Sequence, residues 1–180
     1  METEYEVKIL DIDIQDIQTK LKKIKATKIA ERSMKRLVYD IKLDKTEHLG
    51  KWIRLRDNGK KITLTVKEIV HKGIDGTKET EIEVSDFEKT DQFIRLLGFE
   101  PQAYQENKRI SYKLGNIEFE IDSWPKIPPY LEIEGKSIQE VEKAIKLLGF
   151  KPEDATSIGV TDVYEKYGLD IHEFKELKFD

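Results

Sequence analysis

IEFEID, residues 117–122, places Glu118, Glu120 and Asp122 two apart, with Ile117, Phe119 and Ile121 between them. Side chains in a strand alternate between opposite faces, so this segment has one wholly acidic face and one wholly apolar face. The pattern returns along the chain. EYEVK (4–8) sets Glu4, Glu6 and Lys8 against Tyr5 and Val7. WIRLR (52–56) puts Arg54 and Arg56 together, and KITLTVKEIV (61–70) sets Thr63, Thr65 and Lys67 against Ile62, Leu64 and Val66. KETEIEV (78–84) spaces Glu79, Glu81 and Glu83 two apart, and YLEIE (130–134) does the same for Glu132 and Glu134. Two longer extended stretches, about 27–39 and 104–114, complete a set of about eight strands, mostly antiparallel; the second carries Lys108 and Arg109. Asp57-Asn58-Gly59 is a hairpin signal, Gly115-Asn116 is a tight turn, and a polar loop runs through His48 and Gly50.

Three helices follow strands. Ile14, Ile17, Leu21 and Ile24 form one apolar face behind Asp13, a suitable N-cap. An internal repeat supplies the other two. EIEVSDFEKTDQFIRLLGFEP begins at Glu81 and EIEGKSIQEVEKAIKLLGFKP at Glu132, a constant offset of 51 residues. Ser85 or Asp86 caps the first of these helices and Ser137 the second, and Gly98 and Gly149 are placed to end them in the left-handed conformation. EYEVK and its helix read as a looser third copy, which suggests a pseudosymmetric sheet with helices packed outside.

The helices need apolar surface to cover their stripes, and the apolar strand faces are the only sizeable ones available. Two architectures satisfy this. An open two-layer α+β sheet would leave the charged faces in water. A closed barrel would turn them inward, and the interior would then have to be wet, ion-paired or ligand-filled. In a closed barrel, Glu-x-Glu strands beside Arg-x-Arg strands make a chamber suited to a metal-bound polyphosphate. Hard divalent cations prefer carboxylate oxygens, Arg binds phosphate through paired N–H groups and Lys binds it as a point charge.

Bulk composition bounds the rest. The 180 residues fit one domain with an appended tail, and the net charge of −4 gives no drive toward nucleic acid. The chain has no cysteine, which excludes disulfides, thiol catalysis and zinc–thiolate sites. No apolar run approaches the roughly 20 residues of a membrane helix, and no signal-peptide pattern is present. The expectation is a soluble cytoplasmic protein, monomeric or homodimeric, with no membrane partner and no nucleic acid as its primary partner.

Glu4-x-Glu6-x-Lys8 near the amino terminus resembles the signature of the CYTH family, the triphosphate tunnel metalloenzymes. The remaining motifs follow in family order: Arg54-x-Arg56, Thr65-x-Lys67, Glu81-x-Glu83, Lys108 and Arg109 before Tyr112, Asp122, and Glu132-x-Glu134. The resemblance spans about residues 2–150. It implies an α+β fold built on an eight-stranded antiparallel closed β-barrel, the triphosphate tunnel, with a charged interior and helices outside. The tunnel domain would occupy 1–152, and a helical tail, 153–180, would pack on the tunnel or close it. Within the tail, 157–168 reads as a short helix, with a second one available in 169–180.

The resemblance also implies roles. Glu4, Glu6 and Glu134 would bind a catalytic Mg²⁺ or Mn²⁺, and Glu132 would position water or a second metal. Lys8, Arg54, Arg56, Lys67 and Arg109 would hold triphosphate oxygens, while Glu81, Glu83 and Asp122 would orient these cations. The sixth strand departs from the family's frequent Lys-x-Arg: Asn107 stands at the first place, so either Lys108 covers part of the role or a phosphate contact is lost. Trp52 stands two residues before Arg54, as a Trp does in vertebrate thiamine triphosphatases of this family, where it stacks on thiamine. It would share the inward parity only if its strand extends that far. Trp124 is expected to pack structurally, and His48, His71 and His172 to lie in loops or the tail at the surface. The implied activity is metal-dependent hydrolysis of tripolyphosphate, thiamine triphosphate or a nucleoside triphosphate. The alternatives are a class IV adenylate cyclase and a non-catalytic polyphosphate-binding domain.

Overall fold

The computed structural model describes residues 1–41 and 50–180, so the expected loop through His48 lies outside the described residues. The strands are β1 (Glu2–Ile9), β2 (Thr27–Asp40), β3 (Gly50–Asp57), β4 (Ile62–Ile69), β5 (Thr77–Val84), β6 (Pro101–Leu114), β7 (Ile117–Ser123) and β8 (Tyr130–Gly135), with two-residue strands β9 (Ala155–Thr156) and β10 (Glu176–Leu177). The helices are α1 (Ile14–Lys23), α2 (Phe87–Leu96), α3 (Ile138–Leu147) and α4 (Val160–Lys166).

Strand order is β6-β2-β3-β4-β5-β1-β8-β7, and β7 pairs back onto β6. Eight antiparallel strands therefore close into a barrel, which decides between the two architectures left open by the sequence. Closure gives each of these eight strands a partner on both sides over at least part of its length. The shortest seam joins β1 to β5 over three residue pairs, Glu2–Glu79 to Glu4–Thr77.

The apolar strand faces point outward to the helices. Val7, Ile9, Phe119, Ile121, Leu131 and Ile133 form one core with Ile17 and Leu21 of α1 and Val141, Ala144 and Ile145 of α3. Ile17 and Leu21 are at most 1% exposed, and each such burial contributes about 1.5–3 kcal/mol. A smaller core packs Phe87 and Ile94 of α2 on Tyr39 and Leu55. The helix starts follow the sequence. Asp13, Asp86 and Ser137 accept from the backbone N–H groups of Asp16, Lys89 and Glu140, which resolves the cap of α2 in favour of Asp86 over Ser85. Gly98 and Gly149 follow their helices at φ 92° and 81°, the left-handed region where a Cβ would be strained.

Residues beyond 152 pack at one end of the barrel. Val163 and Tyr164 of α4, Ile171 and Leu177 form a third core with Trp124, Ile127 and Tyr130. The expected second tail helix is not formed: 169–180 contains one 3₁₀ turn (Ile171–Glu173) and β10. The reason is a vacant edge. β7 pairs with β6 only from Lys108–Ser123 onward, so β6 is uncovered on that side at Tyr104 and Gln105, where β10 adds in parallel. His71 lies in an exposed loop and His172 in the exposed part of the tail.

Candidate active site

Register fixes which charged side chains meet inside the barrel. Glu6 stands opposite Glu134, and Lys8 opposite Glu132. Glu132 in turn faces Glu120, and Glu134 faces Glu118. Arg109 faces Asp122, Arg36 faces Arg56, Arg54 faces Thr65, and Thr65 faces Glu81. The ring order sorts these charges. Adjacent strands β6, β2, β3 and β4 carry Arg109, Arg36, Arg54, Arg56 and Lys67, a basic wall. Adjacent strands β5, β1, β8 and β7 carry the carboxylates, with Lys8 alone among them.

The two walls reach for each other. Lys67 Nζ lies 2.9 Å from Glu4 and 3.4 Å from Glu79. Lys8 Nζ lies 2.7 Å from Glu6 and 3.4 Å from Glu132. Arg54 and Arg56 both approach Glu81 at 3.4 Å, and Thr65 donates to the same carboxylate at 2.8 Å. Arg109 grips Asp122 through Nε (2.8 Å) and Nη2 and reaches Glu132 at 3.1 Å. Two open surface depressions, beside α3 and between Leu10 and Tyr167, lie away from this charge network.

The electrostatics follow from burial and neighbours. Burial opposes the charge on Lys8, but Glu6 and Glu132 outweigh it and hold the ammonium well above its ordinary value. Burial likewise opposes charge on Glu132, yet Arg109 and Lys8 hold its carboxyl well below the usual range. Glu134 is the opposite case. Burial, then the carboxylates of Glu132, Glu6, Glu4 and Glu118, push it up to about 8. Burial and the neighbouring Arg54 and Arg109 pull Arg56 down to about 10. Among the described residues, the buried Nε–H groups of Arg36, Arg54 and Arg56 have no acceptor. The lumen thus holds a carboxylate crowded by carboxylates on one wall and guanidinium donors without acceptors on the other.

Among the described residues no three carboxylates converge closely enough to hold a metal ion as the side chains stand. Glu4 and Glu6 are instead drawn to Lys67 and Lys8. The donor set nevertheless fits a hard divalent cation. Glu134 makes no ion pair among the described residues; burial first and then its carboxylate neighbours raise its pKa, and such a cation relieves that repulsion.

The implied site residues are brought together with one exception. Lys108 points outward, exposed, with its ammonium 4.5 Å from the Phe179 ring centroid. The pleat allows no other outcome: Arg109 and Asn107 share the inward parity, so Lys108 takes the outer face. Glu83 registers opposite Thr63 but makes no ion pair among the described residues. β3 begins at Gly50, so Trp52 does share the inward parity, half-buried and opposite Lys67. Trp124 is buried and packs edge-on to Tyr164. Arg36 is a lumen residue to which the sequence assigned no role. Its signal was parity alone: it lies two residues from Met34, inside a stretch read only as extended.

A family model described as CYTH domain matches residues 2–157. No curated protein matches the chain. Among solved structures, the PH1012 protein of Pyrococcus horikoshii is 28% identical, with TM-score 0.73 over 87% of this chain and 96% of that one. A candidate adenylate cyclase from Vibrio parahaemolyticus superposes with TM-score 0.75 at 13% identity, over 91% and 98%. A candidate adenylyl cyclase from Hippeastrum, described as having a dominant triphosphatase activity, gives TM-score 0.58 at 15% identity, over 97% and 100%. The last two show likeness of fold.

Proposed function

The chain belongs to the CYTH domain family, and from that premise we infer that its lumen binds a linear triphosphate and hydrolyses it with the help of a divalent cation. The observation that carries this reading is the division of the lumen into a basic wall whose guanidinium Nε–H groups have no acceptor among the described residues and an acidic wall with a carboxylate that has no ion pair among them. Phosphoryl transfer needs little covalent help from a protein; positioning and charge neutralisation supply most of the rate.

In this reading Arg54, Arg56, Lys67, Arg109 and Lys8 hold the phosphate oxygens. Glu4, Glu6 and Glu134 hold the Mg²⁺ or Mn²⁺, which supplies Lewis-acid polarisation of a phosphoryl oxygen and a more acidic water. Glu132, ionised by its contacts with Arg109 and Lys8, orients the attacking water. Glu81 and Asp122 set the guanidinium groups in place through the contacts they already make. Residues 153–180 close the barrel end at Trp124 and Tyr130.

The ion pairs of Lys67 and Lys8 couple the two binding events. A triphosphate that takes Lys67 and Lys8 releases Glu4 and Glu6 for the metal, so substrate and metal bind cooperatively.

A product assay tests this. Tripolyphosphate, thiamine triphosphate and ATP are offered with Mg²⁺ or Mn²⁺, scored for phosphate, pyrophosphate and cyclic AMP. Released phosphate is the expected result; cyclic AMP with pyrophosphate would make the protein a cyclase, and binding without turnover a polyphosphate-binding module. Trp52→Ala sorts the substrates. It is expected to raise KM for an organic triphosphate that stacks on the ring by about 5- to 150-fold, the range of aromatic–base stacking, and to leave KM for tripolyphosphate unchanged. A KM unchanged from wild type for every organic triphosphate would remove Trp52 from the substrate site.

A further inference from the structure

Arg36 projects from β2 into the lumen and is 8% exposed. Its Nη2 donates to Asn107 Oδ1, and Asn107 Nδ2 donates to Asp122 Oδ1 at 3.1 Å. Its guanidinium carbon lies 4.5 Å from the centroid of the Trp124 ring. No carboxylate lies within ion-pair distance of it among the described residues, and its Nε–H has no acceptor. The charges nearest to it are mostly of its own sign: after burial, Arg54, Arg56 and Arg109 pull it down to about 9, against the weaker pull of Asp122. At neutral pH it remains a cation, buried without a counter-ion among the described residues.

Such a charge is strongly unfavourable unless something compensates it. The Trp124 ring compensates in part, since a cation over an aromatic face is attracted even when desolvated. The ring covers one side of the guanidinium, while Nε stays unfilled. Asn107 fits the same picture. Its carbonyl faces a guanidinium and its amide NH₂ faces a carboxylate, so a neutral amide serves both neighbours. A lysine at 107 would meet Arg36 as a like charge. The cation that strand β6 lacks at this level is supplied from β2 instead.

We propose that Arg36, set by Asn107 and Trp124, is a phosphate-binding residue of the lumen and takes the terminal phosphoryl group of the bound chain. The end position follows from what lies beyond it. Trp124 is buried, Tyr164 packs edge-on to it at 6.3 Å, and Tyr164 donates to the Pro125 carbonyl at 2.7 Å. A phosphate against Arg36 therefore has packed protein behind it and no space for the chain to continue. The proposal deepens the triphosphate reading and rests on it.

The test is calorimetric titration of the full-length protein with sodium tripolyphosphate in the presence of a chelator, so that no turnover occurs. Arg36→Gln is expected to weaken binding on the order of 30-fold or more, as for removal of one partner of a buried charge pair. Lys108→Gln, an outward change on the neighbouring strand, is expected to stay within about twofold, as for other exposed charges. If the wild-type protein binds no tripolyphosphate, the triphosphate reading itself falls. If it binds and Arg36→Gln binds equally well, the assignment of Arg36 is overturned while that reading stands, and a lowered melting temperature with unchanged affinity has the same meaning. Should Arg36→Gln not fold, crystals of the wild-type protein with tripolyphosphate decide. A terminal phosphate oxygen against Arg36 Nε supports the assignment, and a chain held only on the Arg54–Lys67 side overturns it.

Discussion

Glu6→Gln is expected to lower metal-dependent triphosphate turnover on the order of 100- to 1000-fold, the usual effect of removing one electrostatic contact to the transition state, with the barrel intact. Glu6 stands opposite Glu134 and 2.7 Å from Lys8. Glutamine keeps the volume and a carbonyl oxygen but removes the charge that a divalent cation requires. The same change relieves part of the crowding around Glu134 but takes from Lys8 its nearer partner, with Glu132 remaining at 3.4 Å, so the two effects on stability oppose each other and the melting temperature should move little while activity falls. The measurement is kcat with Mg²⁺ and with Mn²⁺, beside the melting temperature of the apo protein. Full activity with either ion would take Glu6 out of the metal's ligands. A parallel fall in melting temperature and kcat would instead assign it a structural part through Lys8.

Asp122→Ala is expected to act on the fold. Asp122 is fully buried, accepts two bonds from Arg109 and a third from Asn107, and so anchors both Arg109 and the Asn107–Arg36 pair. Burial raises its carboxyl above the ordinary value even against Arg109, so desolvation already weighs heavily on this carboxylate. Removing the acid leaves the cation without its main partner, and breaking a buried pair from one side costs about 3–5 kcal/mol. For a chain of this size that corresponds to roughly 6–20 °C in melting temperature. Glu132 still reaches Arg109 at 3.1 Å, which places the expected loss toward the lower end. Urea unfolding of the apo protein measures it, and a loss below about 1 kcal/mol, typical of exposed pairs, would show that the network does not depend on Asp122.

Much of this site was legible before any coordinates. The acids of β1, β5, β7 and β8 and the bases of β3 and β4 stand on the faces that the two-residue period assigned to them. Asp13, Ser137, Gly98 and Gly149 bound their helices as expected, because caps and left-handed glycines are read within a few residues. The readings that failed depend on more than local pattern. Lys108 carried the right charge on the wrong face. The tail segment 169–180 was available for a second helix, yet it met an uncovered edge of β6 and pairs there through Glu176–Leu177.

Alternation along each strand by itself determined which side chains share a face, because the pleat is a property of consecutive residues. It left open whether those faces look at water or at one another. Closure of β7 onto β6 settled that, and the order β6-β2-β3-β4-β5-β1-β8-β7 then gathered bases on one wall and acids on the other. Neither follows from sequence order, since β2 and β6 are neighbours in space and distant along the chain. Arg36 and Asn107, 71 residues apart, meet only because β2 pairs with β6. The physical reason is that strand pairing is a long-range choice among backbone partners, and only the closed ring brings every charged face onto one shared lumen.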